Sequence, residues 1–227
     1  MKRDIIITAD GSTTIQIPEW NEQYHSKHGA IQEAYHVFIK HGLQYYTQLL
    51  QNQSKQQEIN ILEIGFGTGL NAFITVIEAQ KLKQKINYSG VEAYPISKAE
   101  IQALNYSKTL KVEKGDKLFQ KLHNTTWEIA HKINSSFILT KQQQFFSEIN
   151  QVNTYNIIYF DAFGARVQPE LWTETIFKIM YNALKPKGIL VTYSAKGSVR
   201  RAMQTVGFTV ERLPGPPGKR EMLRATK

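Results

Sequence analysis

Residues 61–73, Ile-Leu-Glu-Ile-Gly-Phe-Gly-Thr-Gly-Leu-Asn-Ala-Phe, run from an apolar strand into a helix through a turn with glycine at every second position. Few folds accommodate such a segment. Gly65, Gly67 and Gly69 carry no Cβ where the chain reverses and where a ligand would lie against the backbone, and the following helix aims free N–H groups at the same place. Two ligand classes use this kind of turn, dinucleotides and S-adenosylmethionine. The dinucleotide fingerprint places Gly or Ala at position 70, where this chain has Leu70, and it does not ordinarily carry an acid at position 63, where this chain has Glu63. A carboxylate suits a cationic, zwitterionic ligand better than a pyrophosphate. Glu63 is therefore expected to face the methionine ammonium, directly or through water, with the glycine turn as the floor beneath it. The alternative is a tight strand-to-helix turn with no ligand.

A chain of 227 residues suffices for one well-buried α/β domain with a small appendage. It contains no cysteine, which excludes disulfides, thiolate nucleophiles and cysteine metal sites. The opening Met-Lys-Arg-Asp-Ile-Ile-Ile-Thr is a short apolar run rather than a signal peptide, and no stretch approaches the length of a membrane span. A soluble, cytoplasmic protein is expected. The net charge is +9, and eight Lys or Arg stand against two acids between positions 196 and 227. Positive charge concentrated in this way favours RNA or DNA as a partner over an anionic membrane, because no helix with a large apolar face accompanies it. The alternative is a solvated basic strand and helix.

Hydrophobic period and turn residues predict a hairpin from 5–8 and 14–17, then a helix or broken pair of helices over 29–51. Strands are expected at 59–64, 86–92, 137–139, 155–160 and 189–193, with helices at 70–82, 127–133, 169–184 and 197–206 and a further helix start at Pro95. This alternation implies a parallel sheet with helices on both faces. The closing strands, 208–213 and 221–226, are joined by 214–218, too short for a helical crossover, and should pair antiparallel. With no repeat or linker, residues 1–227 read as one domain, an N-terminal extension (1–55) followed by a core (56–227).

In a doubly wound sheet ligands bind beyond the carboxyl ends of the strands, and Glu63, Glu92 and Asp161 occupy such ends. Glu92 is placed to accept the hydroxyls of an adenosine ribose; otherwise it is a capping or solvated carboxylate. Asp161 is handed by a buried strand to the open cleft, or else caps the next turn. Phe163 and Trp172 either stack on a base or belong to the core. His25, His28, His36 and His41 lack a clustered carboxylate and read as surface or packing residues, so no metal site is expected.

An ordered set of motifs then narrows the reading: Tyr24-His-Ser26, Gly29 to Phe38, Glu63 to Asn71, Asp161-Ala-Phe163, Gln168-Pro-Glu-Leu-Trp-Thr173, Ala195-Lys-Gly-Ser-Val-Arg-Arg201, Gly207-Phe208 and Gly218-Lys-Arg-Glu-Met-Leu223. Over nearly its whole length the chain resembles the methyltransferase half of the MnmC family of bifunctional tRNA wobble-uridine modification proteins, and the stand-alone MnmD forms of that half. The resemblance implies a Rossmann-like class I S-adenosylmethionine-dependent methyltransferase, with a mostly parallel seven-stranded sheet, an antiparallel final strand, and an N-terminal hairpin and helix extension. It implies N-methylation of the 5-aminomethyl group of 5-aminomethyl-2-thiouridine in the tRNA anticodon, giving 5-methylaminomethyl-2-thiouridine. A length of 227 residues leaves no room for the FAD-dependent half that makes the amine in bifunctional relatives.

On this resemblance Asp161 is the catalytic residue, and Glu63, Gly65, Phe66, Gly67, Thr68, Gly69, Asn71, Glu92 and Gln142 hold the cofactor. Arg166, Lys196, Arg200, Arg201, Lys219 and Arg220 are expected on the tRNA anticodon stem-loop, bound by a monomer. The chain departs from the family at Gly164-Ala165, where Ala-Pro is common, and at Thr140-Lys141, where Gly-Asp is common. An amide, Gln142 or Gln143, is then expected to replace the acidic contact to the adenine amine. Two other readings compete: a small-molecule amine N-methyl- or aminopropyltransferase, and a non-catalytic RNA-binding module with a vestigial pocket.

Overall fold

The computed structural model describes residues 2–50 and 57–227, so the expected boundary between extension and core lies outside the described residues. The extension begins with three short antiparallel strands, β1 (Asp4–Ile7), β2 (Thr13–Ile17) and β3 (Glu22–Gln23), one more than the expected hairpin. A continuous helical run follows: α1 (Ala30–Ala34), a π-helical stretch (Tyr35–Gln44) and α2 (Tyr45–Leu50). Its Val37, Phe38, Ile39 and Leu43 are buried, and Phe38 packs 5.1 Å from Tyr159 between ring centroids. One hydrophobic cluster runs from Ile15 through this helix to Met222, so the extension shares a core with the sheet.

Along the rest of the chain stand β4 (Ile59–Ile64), α3 (Leu70–Lys81), β5 (Ile86–Val91), α4 (Lys98–Ala103), α5 (Tyr106–Thr109), α6 (Gly115–Asn124), β6 (Ala130–Asn134) and β7 (Phe137–Gln142). They are followed by β8 (Tyr155–Phe160), α7 (Glu174–Ala183), β9 (Leu184–Thr192), α8 (Gly197–Thr205), β10 (Thr209–Pro214) and β11 (Glu221–Thr226). The large sheet has the order β10-β11-β9-β8-β4-β5-β7-β6. Its centre, β7 through β9, is parallel, and β11 runs antiparallel to both β9 and β10 as the short 214–218 connection requires. The central strands are apolar on both faces: Ile61, Leu62 and Ile64 are wholly buried, each worth ~1.5–3 kcal/mol relative to exposure.

Three expectations need correction. The sheet has eight strands rather than seven, because the segment expected as helix 127–133 forms β6, an antiparallel edge strand paired with β7. The Asn134 side chain accepts from Ser136 N at 2.8 Å, closing a turn too tight for a helix to reach β7. Pro95 does not begin a helix; Ser97 caps α4 in a box where its side chain accepts from Glu100 N and the Glu100 carboxylate accepts from Ser97 N. The expected helix 169–184 divides into a short 3₁₀ turn (Pro169–Trp172) and α7, with Thr173 capping the latter through Ile176 N.

Candidate active site

The chain leaves β4 toward β5 and β7 on one side and places β8 on the other, so the strand order reverses between β4 and β8. A crevice opens at that point. The glycine turn leaves the end of β4 and Asp161 leaves the end of β8, and the two ends are tied by Asp161 N donating to Ile64 O at 2.9 Å. Gly65 has φ 88°, and a Cβ there would lie 2.7 Å from the Asp161 carbonyl oxygen. Only glycine lets the turn approach β8 this closely.

The crevice is a cavity of about 1140 Å³, larger than the ~300–1,000 Å³ of common small-molecule sites. Gly65, Gly67 and Glu92 line it from one side and Asp161 from the other. Glu92 accepts from Gly67 N at 3.0 Å and from Tyr94 N at 2.9 Å, which fixes its carboxylate beside the turn. This cradle, free of Cβ atoms at Gly65 and Gly67 and bordered by a carboxylate after β5, suits an adenosyl ligand with its ribose toward Glu92.

The other expected cofactor residues lie elsewhere. Glu63 is fully buried behind the turn and does not line the cavity. Burial pushes its carboxyl well above the usual range; the Tyr88 hydroxyl and Asn71 amide oppose that shift, although neither oxygen finds a partner at hydrogen-bond geometry among the described residues. Desolvation of this kind favours the neutral form of the acid, which backs the turn from the core side. Phe66 packs edge-on against His123 and Trp127, and Thr68 receives the Tyr106 hydroxyl at 3.1 Å. With Gly69 at the start of α3, they hold the turn from behind. Asn71 faces Asp161, donating from its amide to Oδ2 at 2.8 Å. Lys141 is buried, donates to the His123 carbonyl at 2.7 Å and lies 4.9 Å from the Trp127 ring centroid, away from the cavity. Gln142 does not line this cavity, whereas Gln143 and Gln144 line a smaller one of about 530 Å³ that shares Ala93 and Phe145 with it.

Asp161 sits in a low-dielectric setting. Burial above all, then the nearby Glu33 charge, raise its carboxyl to about 7, against the Asn71 hydrogen bond and the Lys219 charge, which lower it. Phe163 lines the cavity and meets Trp20 and Tyr24 edge-on at 5.5 and 4.8 Å, an aromatic wall, while Trp172 is core, its indole donating to the Phe163 carbonyl at 2.7 Å.

Sequence reasoning missed most of the remaining wall. It comes from the extension, from the end of β9 and from the β10–β11 turn: His25, Ser26, His28, Glu33 and Tyr193 line the cavity, together with Lys219, which was expected on tRNA. His25 is buried, shares a 2.9 Å hydrogen bond with the Thr14 hydroxyl, and is driven down to about 4 by desolvation, so it is neutral at pH 7. The motifs Tyr24-His-Ser26, Gly29 to Phe38 and Gly218-Lys were the sequence signals for His25, Ser26, Glu33 and Lys219, and none covered His28 or Tyr193. His36 lies outside, donating to the Pro214 carbonyl at 2.7 Å, with His41 packed against it.

The expected tRNA-binding cations divide. Lys219 is ion-paired with Glu33 inside the cavity, and Arg166 donates to Trp20 O, Asn21 O and Glu22, holding the extension to the loop after β8. Arg224, part of the basic tract, is buried on Glu211 with its guanidinium 3.4 Å from the Tyr45 ring centroid. Lys196, Arg200, Arg201 and Arg220 form no ion pair among the described residues, and the first three gather at the start of α8. No helix among the described residues is long and apolar enough to cross a membrane.

Comparison with known proteins gives a consistent picture. Residues 105–227 match a family model described as S-adenosyl-L-methionine-dependent methyltransferase. The chain is 31% identical over 212 residues to the "tRNA 5-methylaminomethyl-2-thiouridine biosynthesis bifunctional protein MnmC" of Leptospira borgpetersenii, covering 90% of this chain and 32% of that protein. A protein of the same name from Cupriavidus metallidurans is 26% identical over 231 residues, covering 96% of this chain and 33% of that one. The chain thus spans about a third of the length of these curated relatives. Among solved structures, MNMC2 from Aquifex aeolicus superposes with a TM-score of 0.76 at 23% identity, over 99% of this chain and 69% of that one. Spermidine synthase from Thermotoga maritima superposes with a TM-score of 0.57 at 12% identity, over 99% and 68%. At these identities the structural likenesses speak for the fold alone.

Proposed function

The chain belongs to the S-adenosyl-L-methionine-dependent methyltransferases, and from that premise we propose that it methylates the exocyclic amine of 5-aminomethyl-2-thiouridine at the tRNA wobble position. The observation that carries this reading is the Asp161 carboxylate, held by Asn71 at the junction of the glycine turn and a cavity of about 1140 Å³. That volume suits a cofactor together with a nucleoside drawn out of an anticodon loop. The names of the relatives support the same substrate.

When bound, the cofactor supplies a sulfonium methyl already activated for displacement. Gly65, Gly67 and Glu92 would hold it, and the aromatic wall of Trp20, Tyr24 and Phe163 would take the splayed base. Asp161 accepts an N–H of the amine and so aims its lone pair. Transfer of the methyl with the carbon–sulfur pair left on sulfur would make the amine an ammonium, and the Asp161 carboxylate would stabilise that charge. With its carboxyl at about 7, Asp161 can also receive the released proton. The carboxylate is lost as pH falls through about 7, so the rate should rise with pH across that value.

The test is nucleoside mass spectrometry of aminomethyl-bearing undermodified tRNA after incubation with the protein and labelled S-adenosylmethionine. One added methyl per wobble uridine is the expected result. Unchanged tRNA in the presence of bound cofactor refutes the reading, and labelling of free amines in its place moves it to a small-amine transferase.

The basic start of α8 supplies phosphate-binding groups in this reading. Arg200→Ala combined with Arg201→Ala should weaken tRNA binding at low salt and flatten the dependence of log K on log salt by about 1–2, a little under one for each phosphate no longer neutralised. Filter binding across a salt series checks this, and an unaltered slope would place the footprint elsewhere.

A further inference from the structure

We propose that the ion pair between Glu33 and Lys219 is a positioning element for Asp161 that sets the charge of that carboxylate. The inference rests on the role proposed for Asp161 in methyl transfer. Glu33 lies in α1, is buried, and spends one carboxylate oxygen on Ser26 N at 3.0 Å and the other on the Lys219 ammonium. A carboxylate so enclosed calls for a counter-charge, and the chain brings one from 186 residues away. The Lys219 ammonium also lies 3.9 Å from the centroid of the Tyr193 ring, whose hydroxyl donates to the Ala162 carbonyl at 2.8 Å, one residue from Asp161. Three distant segments are thus joined around the catalytic carboxylate.

The groups that act on Asp161 through charge or hydrogen bonding are Glu33 from α1, Glu63 from β4, Tyr88 from β5, Tyr106 from α5, Tyr193 beyond β9, the Asn71 amide from α3, and Lys219 from the β10–β11 turn. Lys219 supplies the cation of this set. Glu33 alone would favour protonated Asp161, and Lys219 alone would favour the carboxylate but repel a sulfonium and an ammonium. Together they add no net charge to a cavity that must admit two cations, while their opposite effects hold Asp161 between its two forms.

The measurement is an NMR titration of aspartate ¹³Cγ-labelled protein without substrate, with Asp161→Asn assigning the resonance. Glu33→Gln should lower the proton affinity of Asp161 and Lys219→Met should raise it, each about three- to tenfold. The double variant, which leaves no unpaired buried charge, should fall between them. If Lys219→Met does not fold, Glu33→Gln, the double variant and a charge-preserving Lys219→Arg that titrates as wild type carry the test. Shifts of the same sign, or none, overturn the proposal. The readout needs no tRNA: failure of the substrate assignment leaves these shifts in place, whereas failure of the coupling leaves Asp161→Ala inactive on tRNA.

Discussion

Asp161→Ala is expected to lower methyl transfer to tRNA by ~10²–10⁴-fold, the range for losing a positioned proton-handling group, while the protein stays folded and still binds S-adenosylmethionine. Stability should not suffer, and the sign follows from linkage. The carboxyl rises from 3.8 to about 7 on folding, so between those values the folded state holds more protons than the unfolded one and stability falls as pH rises. Removing the side chain therefore relieves a cost at pH 8, offset by the small cavity it leaves and by an Asn71 amide without its acceptor. Calorimetry of cofactor binding and a thermal melt at pH 8, set beside single-turnover methylation, separate these effects. Wild-type turnover by the variant would remove Asp161 from the mechanism.

Gly65→Ala should damage both fold and site. A left-handed backbone costs a residue with a Cβ ~1–2 kcal/mol, and here the new atom would also stand 2.7 Å from the Asp161 carbonyl oxygen, a backbone group that cannot move without displacing β8. Gly11 provides the control, since its φ of 81° is similar and nothing lies within 4 Å of an added Cβ. Gly11→Ala should therefore show the backbone cost alone, a melting temperature lowered by a few degrees with cofactor affinity intact. Gly65→Ala should melt lower still and lose affinity by about tenfold or more, the effect of a further ~1.4 kcal/mol. Equal behaviour of the two variants in cofactor titration would show that the close approach of turn and strand does not matter.

The parallel centre of the sheet was legible because Ile59–Ile64, Ile86–Val91 and Tyr155–Phe160 are short stretches rich in apolar residues and bounded by turn residues, as strands covered on both faces require. β6 was not, since a half-exposed edge strand such as Ala130–Asn134 carries little hydrophobic pattern and is selected by pairing with β7. That Gly65, Gly67, Glu92 and Asp161 line one cavity was legible, because a strand end in a doubly wound sheet faces the crevice wherever it falls in the chain. Glu63 stands near such an end as well, but the alternation of side chains along β4 turns it into the core and it does not line the cavity. Where the charge of the basic tract is spent was not legible, because Lys219 meets Glu33 of the extension and Arg224 meets Glu211 of β10, pairings that the fold sets.

By itself the sequence determined the strand, glycine turn and helix around 61–73, the acids at the strand ends and the basic close of the chain, all local patterns set by backbone geometry and hydrophobic period. Only the tertiary structure decided that the N-terminal extension closes the cavity, that Asn71 holds Asp161, and that Glu33 meets Lys219. These pairs join segments 90 and 186 residues apart. Burial creates them, because a charge or amide removed from water must find a partner wherever the folded chain brings one, and no spacing along the sequence records where that will be.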